Sequence, residues 1–336
     1  MRTLIKIFSI GSLLLAVLLA IVWSEYKDFN STPLVIGSEG YTFIVAPGSN
    51  LQKISKQIKR DGLSPFPDYY LPLYGRLEKK AHLIKAGEYL VKADTTLPQL
   101  LDQFIAGQVI QYSFTIIEGM TSQQLIDAII SDKRLVSTLN DSDLKAVMSE
   151  LNLPNNHGEG EFLPETYNFT RGMTDLQLLK RSHNAMTTEL EQAWSNREDN
   201  LPYKTPYDAL IMASIIEKES GIAEERPQIA GVFVRRLNMG MRLQTDPTVI
   251  YGMGERYKGN IRRKDLRTDT PYNTYTRSGL PPTPIALPSK EALYAALHPA
   301  AGKSLYFVAT GKEGRHVFSN TLIEHNRAVR KYQLKK

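Results

Sequence analysis

The sequence predicts an α+β protein with an N-terminal transmembrane helix, a small α+β domain and a larger mixed α+β domain. Three observations lead to this prediction. An uncharged apolar run occupies residues 7–23, a strand–turn–helix pattern recurs from residue 41, and a wholly apolar helix follows Thr205. At 336 residues the chain is long enough for two domains and a large core.

The first element is a single membrane-spanning helix over residues 7–24, preceded by a short N-terminus of residues 1–6. Roughly 17–25 apolar residues cross a bilayer, so this run is sufficient. Arg2 and Lys6 precede it and predict a cytoplasmic N-terminus, with Trp23 at the far interface. No Ala-x-Ala site follows the apolar core, which favours an uncleaved anchor over a cleaved signal peptide. The rest of the chain is then expected outside the cytoplasm.

A small domain is predicted over residues 41–108 from two strand–turn–helix units. The first has a strand at 41–45 and a helix capped by Ser49, and the second has a strand at 87–91 and a helix capped by Thr95 or Thr96. This pairing is similar to LysM modules, which bind chains containing N-acetylglucosamine. The alternative is a packed unit that only positions the following domain, predicted over residues 112–333.

The second domain begins with a third strand–turn–helix unit from residue 112, and the later elements are predicted from periodicity. Helices are expected over residues 130–157, 176–196, 224–239, 290–298 and 321–333, with a β-hairpin formed by residues 304–309 and 315–318.

A helix with an acidic end lies at the centre of this domain. Thr205 is its predicted N-cap, and between residues 209 and 216 Ser214 is the sole polar residue, so we expect a buried helix. It ends on Glu217 and Glu219. Burial and the negative end of the helix dipole both raise the pKa of a carboxyl group, as a general acid requires. Residues two apart do not share a helix face, so at most one of the two enters a cleft, and spacing leaves open which one, or whether both are solvated.

Four motifs around this helix resemble those of the endolytic murein transglycosylases of the YceG-like (MltG) family. They are EKES at residues 217–220, GMRLQTDPTVIYG at 240–252, PYNTY at 271–275 and GLPPTPIALP at 279–288. The resemblance covers nearly the whole chain, the membrane anchor included. It implies that Glu219 is the catalytic acid and that Glu217 is a supporting or structural neighbour.

The same resemblance implies a saccharide-binding cleft beside the acid. The residues expected to bind substrate there are Gln244, Asp246, Tyr251, Asn273, Tyr275 and Glu165, the last within EGEFLPETY at residues 159–167. Glu159 and Tyr167 of that segment are also candidates for the cleft, and Arg226, Arg235 and Arg236 are available for acidic partners. Each of these residues alone is more typical of an ordinary turn or surface, and it is their grouping beside one acid-bearing helix that favours the cleft.

The composition excludes several classes of protein. The chain has no cysteine, which rules out disulfides, zinc–thiolate sites and a thiol nucleophile. His298, His316 and His325 are too scattered to suggest a metal site, so structural roles are expected for them, and no cofactor or metal is expected. The net charge of +6 suits a polyanionic surface such as the cell wall, but no nucleic-acid motif accompanies it.

The implied function is endolytic cleavage of the MurNAc–GlcNAc β-1,4 bond in peptidoglycan, with a 1,6-anhydroMurNAc end and termination of nascent strands. The resemblance also implies a bacterial inner-membrane protein with its catalytic domain in the periplasm and peptidoglycan synthases as partners. Two alternatives remain open. One is a lysozyme-like hydrolase with Asp246 or Glu217 as the second carboxylate, and the other is a non-catalytic glycan-binding scaffold.

Overall fold

The structure, a computed structural model, describes residues 2–153, 157–311 and 314–334, with side chains from residue 8 onward. It contains two compact units. The N-terminal unit comprises Met1–Tyr112 and Phe169–Arg171, and the C-terminal unit comprises Ser113–Asn168 and Gly172–Lys336. Helices and strands are mixed along the chain, and the first element is an apolar helix, so the predicted α+β class is confirmed.

The first helix, α1, spans Arg2–Ser31. Among the residues described, its segment Phe8–Ser31 is the one helix that is long and apolar enough to cross a membrane. The helix continues beyond the predicted end at residue 24 because Phe29 is buried in the core of the N-terminal unit. The side chains of Arg2 and Lys6, on which the predicted orientation depends, lie outside the described residues.

The N-terminal unit contains the two predicted strand–helix units and, between them, a helix that the sequence also predicts around residues 69–77. β1 (Tyr41–Val45) pairs antiparallel with β2 (Gly87–Val91), and the helices are α2 (Leu51–Arg60), α3 (Tyr70–Leu77) and α4 (Leu97–Ala106). Asn50, rather than the predicted Ser49, caps α2, because its side-chain oxygen accepts the Lys53 amide at 2.9 Å. The core is aromatic, with Phe43, Tyr89 and Phe104 fully buried.

The remaining elements follow from Tyr112 onward. They are β3 (Tyr112–Thr115), α5 (Ser122–Ser131), α6 (Leu144–Glu150), β4 (Thr166–Phe169), α7 (Asp175–Ser195), α8 (Pro206–Glu219), α9 (Arg226–Asn238), α10 (Asp246–Met253), α11 (Arg263–Arg267), α12 (Lys290–Leu297), β5 (Tyr306–Ala309), β6 (His316–Ser319) and α13 (Leu322–Tyr332). β3 pairs with β4, and β5 forms the predicted antiparallel hairpin with β6.

The helix predicted over residues 130–157 is wrong for most of its length. Between residues 132 and 153 only α6 is helical, and residues 154–156 lie outside the described part of the chain. The buried carboxylate of Asp175 accepts the backbone amides of Thr138 and Leu139 at 2.9 and 3.1 Å. Because these amides are bonded to a side chain from α7, they do not enter a helical ladder.

Helix α8 is the central element of the C-terminal unit. Its residues 209–216 are all buried, and it packs against α7, α9 and α12. Thr205 caps it as predicted, in a reciprocal arrangement with Asp208. The one polar residue in the buried stretch, Ser214, donates to the Ile211 carbonyl at 2.7 Å and accepts the Ile285 amide at 3.0 Å. The segment of residues 279–288 is therefore bonded directly to α8.

Replacing Ser214 by alanine should destabilise the protein by about 1–3 kcal/mol, because the buried Ile285 amide loses its acceptor. Ser195→Ala is the matched control: Ser195 makes the same hydroxyl-to-carbonyl bond three residues back, but it is exposed. Chemical denaturation should show a change within about 0.5 kcal/mol for that control. Equal losses for the two variants would contradict the assignment.

Candidate active site

Glu219 is the last residue of α8, and its side chain lines a groove of about 560 Å³ in the C-terminal unit. The helix ends there because Ser220 is extended and its hydroxyl bonds the Ile222 backbone. Since α8 is buried along its length, the carboxyl group at its end is partly buried although it faces a groove.

A cluster of buried threonines holds this carboxyl group. The Thr245 hydroxyl donates to Glu219 Oε1. Thr245 is fixed in turn because its amide donates to Thr274 Oγ1 at 3.1 Å, and Thr248 bonds both Thr245 and Thr274. One carboxylate oxygen of Glu219 is thereby assigned a fixed donor, which leaves Oε2 as the oxygen for a proton.

Burial raises the pKa of the Glu219 carboxyl to about 6. The Thr245 hydrogen bond opposes the rise because it favours the ionised form, whereas the negative charge of Asp246 adds to it. The electrostatic interaction with His316 lowers the pKa of Glu219 by the smallest amount. A carboxyl group with a pKa near 6 holds a proton for an appreciable part of the time near neutral pH, as a general acid must.

Glu217, two residues earlier, is used inside the protein. Arg226 donates to its Oε1 at 3.0 Å, and the amide and hydroxyl of Ser289 donate to its Oε2 at 2.9 and 2.5 Å. All three partners are buried, and Glu217 does not line the groove. The two glutamate side chains therefore lie on different faces of α8, as helical geometry requires, and the Glu217 carboxylate is bonded within the protein.

The groove is lined mainly by three parts of the C-terminal unit. These are the end of α8 with the loop before α10, the β5–β6 hairpin, and α13. The lining residues are Glu219, Phe233, Arg236, Leu243, Gln244, Asp246, Tyr275, Tyr306, Phe307, Val308, Ala309, His316, Leu322, His325, Asn326, Val329 and Gln333. Within this described lining the carboxyl groups are those of Glu219 and Asp246.

Four of the predicted site residues meet in this groove: Glu219, Gln244, Asp246 and Tyr275. Tyr275 donates its hydroxyl to Asp246 Oδ1 at 2.6 Å. Gln244 is exposed and has a φ of 54°, a left-handed backbone that a glutamine rarely adopts. Such strain is common in functional loops. Here the backbone N–H of Gln244 donates to the Thr274 carbonyl at 3.2 Å.

Three other predicted residues, Asn273, Tyr251 and Glu165, do not line this groove. Asn273 is fully buried, and its amide nitrogen donates to three backbone carbonyls between residues 265 and 268. Tyr251 donates to Glu159 at 3.0 Å and packs its ring on Tyr272. Glu165 is exposed beside Lys290, at 3.8 Å. Each of these side chains is engaged in holding the fold or lies on the surface.

The remaining candidates are also used within the protein. Glu159 is buried and accepts the Ser122 amide at 2.8 Å, and Tyr167 is buried with its hydroxyl on the Leu163 carbonyl. Arg235 and Arg236 donate to backbone carbonyls of residues 300–305 and 242–243, and Arg236 also lines the groove.

Tyr306, His316 and His325 are among the groove residues that were not predicted as site residues. Tyr306 and His325 stack with ring centroids 5.2 Å apart, and His316 bonds Glu225 at 2.8 Å. They come from the β5–β6 hairpin and α13, almost 90 residues or more after Glu219. No spacing pattern connects residues so far apart, and the aromatic pattern of this hairpin is also typical of an ordinary strand pair.

Comparison with known proteins gives consistent results. Residues 43–331 match the model of the YceG-like family. An endolytic murein transglycosylase of Bacillus subtilis (strain 168) is 31% identical over 86% of this chain and 83% of its own length. One of Streptococcus pneumoniae (serotype 2, strain D39) is 26% identical over 91% of this chain, which spans 61% of that protein.

A solved structure is also similar. The crystal structure of a YceG-like protein from Listeria monocytogenes matches 87% of this chain and 99% of that protein, with 29% sequence identity and a TM-score of 0.52. The likeness therefore extends over both units of the chain.

Glu219→Gln should stabilise the protein at pH 8 by up to about 2 kcal/mol. In the folded protein the Glu219 pKa of about 6 lies above the ordinary value of 4.5. The wild-type protein therefore has its full stability with respect to this group below pH 4.5 and loses up to about 2 kcal/mol as the pH rises through 6. Thermal unfolding at pH 4 and pH 8 measures this, and the gain should be absent at pH 4, where both side chains are neutral.

Glu217→Gln is the matched control, with the same chemical change two residues earlier. It removes one partner of a buried ion pair and should lose about 3–5 kcal/mol at pH 8. Stabilisation by Glu217→Gln would contradict the buried ion pair, and destabilisation by Glu219→Gln at pH 8 would contradict the desolvated acid.

Proposed function

Because the chain belongs to the YceG-like family, we propose that it is a lytic transglycosylase that cleaves the glycan strands of peptidoglycan, with Glu219 as its catalytic acid. The observation that carries the proposal is the position of Glu219. It is a carboxyl group with a raised pKa, held by one fixed donor, at the wall of an open groove. Relatives of this family are endolytic murein transglycosylases, which extends the proposal to cleavage within strands.

In the proposed reaction Glu219 serves twice. The protonated carboxyl first gives its proton to the oxygen of the MurNAc–GlcNAc β-1,4 bond, and the bond from that oxygen to C1 of MurNAc breaks. The resulting carboxylate takes the proton from the C6 hydroxyl of MurNAc while that oxygen bonds to C1. The products are a GlcNAc 4-hydroxyl and a 1,6-anhydroMurNAc end, and Glu219 is again protonated.

Thr245 orients the acid in this scheme. Its hydroxyl occupies Oε1, so the proton lies on Oε2, and the bonded threonine cluster prevents the carboxyl group from rotating freely. Gln244, Asp246 and Tyr275 line the groove beside it and offer an amide, a carboxylate and a ring to the sugar. Tyr306 of β5 and His325 of α13 add stacked aromatic rings to the groove lining.

A hydrolase needs a second carboxylate that activates water or attacks the sugar. Glu217 is held by Arg226 and Ser289, so it is not free for that role. Asp246 accepts the Tyr275 hydroxyl. The hydrolase is the less favoured function because the relatives are endolytic murein transglycosylases, whose reaction needs one acid.

The protein is membrane-anchored through α1, and we place the anchor in the bacterial inner membrane with the N-terminus in the cytoplasm and both units in the periplasm. The positive residues before the apolar run support this orientation. We assign residues 41–108 to a LysM-like module that binds glycan and residues 112–333 to the catalytic domain. We also propose that the protein terminates nascent strands beside peptidoglycan synthases, as the resemblance to the family implies.

Digestion of purified glycan strands should release fragments with 1,6-anhydroMurNAc ends, identified by mass spectrometry. Glu219→Gln should lower the rate by about 10²–10⁴-fold, because general acid–base catalysis contributes about that much. Glu191→Gln, at an exposed glutamate of α7, is the control and should retain full activity. Reducing MurNAc ends would instead identify a hydrolase, and binding without new ends would identify a scaffold.

The pH dependence should report the Glu219 carboxyl. Since the free enzyme must hold the proton, kcat/KM should fall as the pH rises above about 6. Asp246→Asn removes a negative charge that raises this pKa, so the falling limb should move to lower pH. Asp199→Asn, at an exposed site, should leave the limb in place. If the falling limb stays at the same pH in Asp246→Asn, the pH profile does not report the ionisation of Glu219.

A further inference from the structure

An apolar groove runs between α1 and α3 within the N-terminal unit. Its volume is about 330 Å³, and apart from Glu25 its lining is apolar or aromatic. Tyr69, Leu73 and Leu77 follow at four-residue intervals and are 58, 54 and 72% exposed. Side chains four apart lie on one helix face, so these three form a continuous exposed apolar stripe along α3. Such stripes mark surfaces that are covered in the working protein.

The stripe is fixed relative to the membrane anchor. Phe29, near the end of α1, is buried against Phe66, Tyr70 and Tyr74, with ring centroids 5.3–5.9 Å apart. The Tyr70 hydroxyl also donates to Glu25 Oε2 at 2.7 Å. Because these contacts join the two helices directly, α3 keeps its position beside the end of α1.

The depth of the stripe follows from helix geometry. An α-helix rises about 1.5 Å per residue and a hydrocarbon core is about 30 Å thick, so about 20 residues cross it. The apolar run ends at Trp23, and tryptophan and tyrosine side chains prefer the membrane–water interface. Val22 and Tyr26, on either side of Trp23, line the groove. The groove therefore lies at the level of the lipid headgroups.

The charges around the stripe suit the same location. Arg76, Glu78 and Lys79 are exposed at or just beyond the C-terminal end of α3, next to Leu77, and their net charge is positive. Basic residues beside an apolar helix face are attracted to anionic headgroups, whereas the apolar side chains enter the region beneath them.

We propose that α3 lies in the membrane interface, with Tyr69, Leu73 and Leu77 inserted into the same bilayer that α1 spans. The N-terminal unit then has two attachments to the membrane and a fixed orientation relative to its surface. This proposal rests on the proposed membrane anchoring through α1.

The absence of cysteine from the chain allows a direct test with single cysteine substitutions. Leu18→Cys, Leu73→Cys and Leu90→Cys replace leucines of α1, α3 and β2 that are 56, 54 and 50% exposed. Leu90 is outside the lining of the groove. Each full-length variant is labelled with an environment-sensitive fluorophore and reconstituted into phosphatidylethanolamine–phosphatidylglycerol vesicles, with or without brominated acyl chains.

We expect brominated lipid to quench the labels at positions 18 and 73 to a comparable degree and to leave position 90 unchanged. Quenching at 18 but not at 73 would overturn the proposal and leave the anchor intact. A label at 73 that is blue-shifted but unquenched would also overturn it, because protein rather than lipid would then cover the stripe. No quenching at 18 would contradict both the anchor and the interfacial helix. Leu77→Cys repeats the test one turn further along α3.

Discussion

The removal of one carboxyl group from water is the constraint on which the candidate site depends. Helix α8 is apolar along residues 209–216, so it is buried, and Glu219 at its end is carried into the protein with it. The neighbouring Glu217 shows the usual outcome for a buried acid, which is neutralisation by an arginine and hydrogen bonds. Among the described residues Glu219 has no such arginine partner, so burial raises its pKa, the negative charge of Asp246 adds to the rise, and the Thr245 hydroxyl opposes it only in part.

Much of the fold could be predicted because local signals and tertiary structure agree. Alternation and capping residues placed β1, β2, α4, α7 and α8 correctly, and the Thr205–Asp208 pair defined the start of the central helix. The segment before α6 shows the limit of such signals. Its periodicity is helical, but the carboxylate of Asp175 from a later helix bonds its backbone amides. A bond across almost 40 residues leaves no trace in a local pattern.

The site was predictable where its residues adjoin the acid in sequence or in a motif, and not elsewhere. Gln244, Asp246 and Tyr275 line the groove with Glu219. Asn273 and Tyr251 have the same residue types and come from the same motifs, but their polar groups bond the backbone of residues 265–268 and the buried Glu159. Residue type does not reveal whether a polar group faces a ligand or a backbone carbonyl. Tyr306, His316 and His325 arrive through tertiary folding alone.

Direct titration of the Glu219 carboxyl group tests the central claim. In the full-length protein in micelles, glutamate labelled with ¹³C at the carboxyl carbon gives a spectrum from which Glu219→Gln removes one resonance. That resonance should titrate with a midpoint near pH 6. A midpoint near 4.5, the ordinary value for a glutamate, would contradict a desolvated acid at the end of α8.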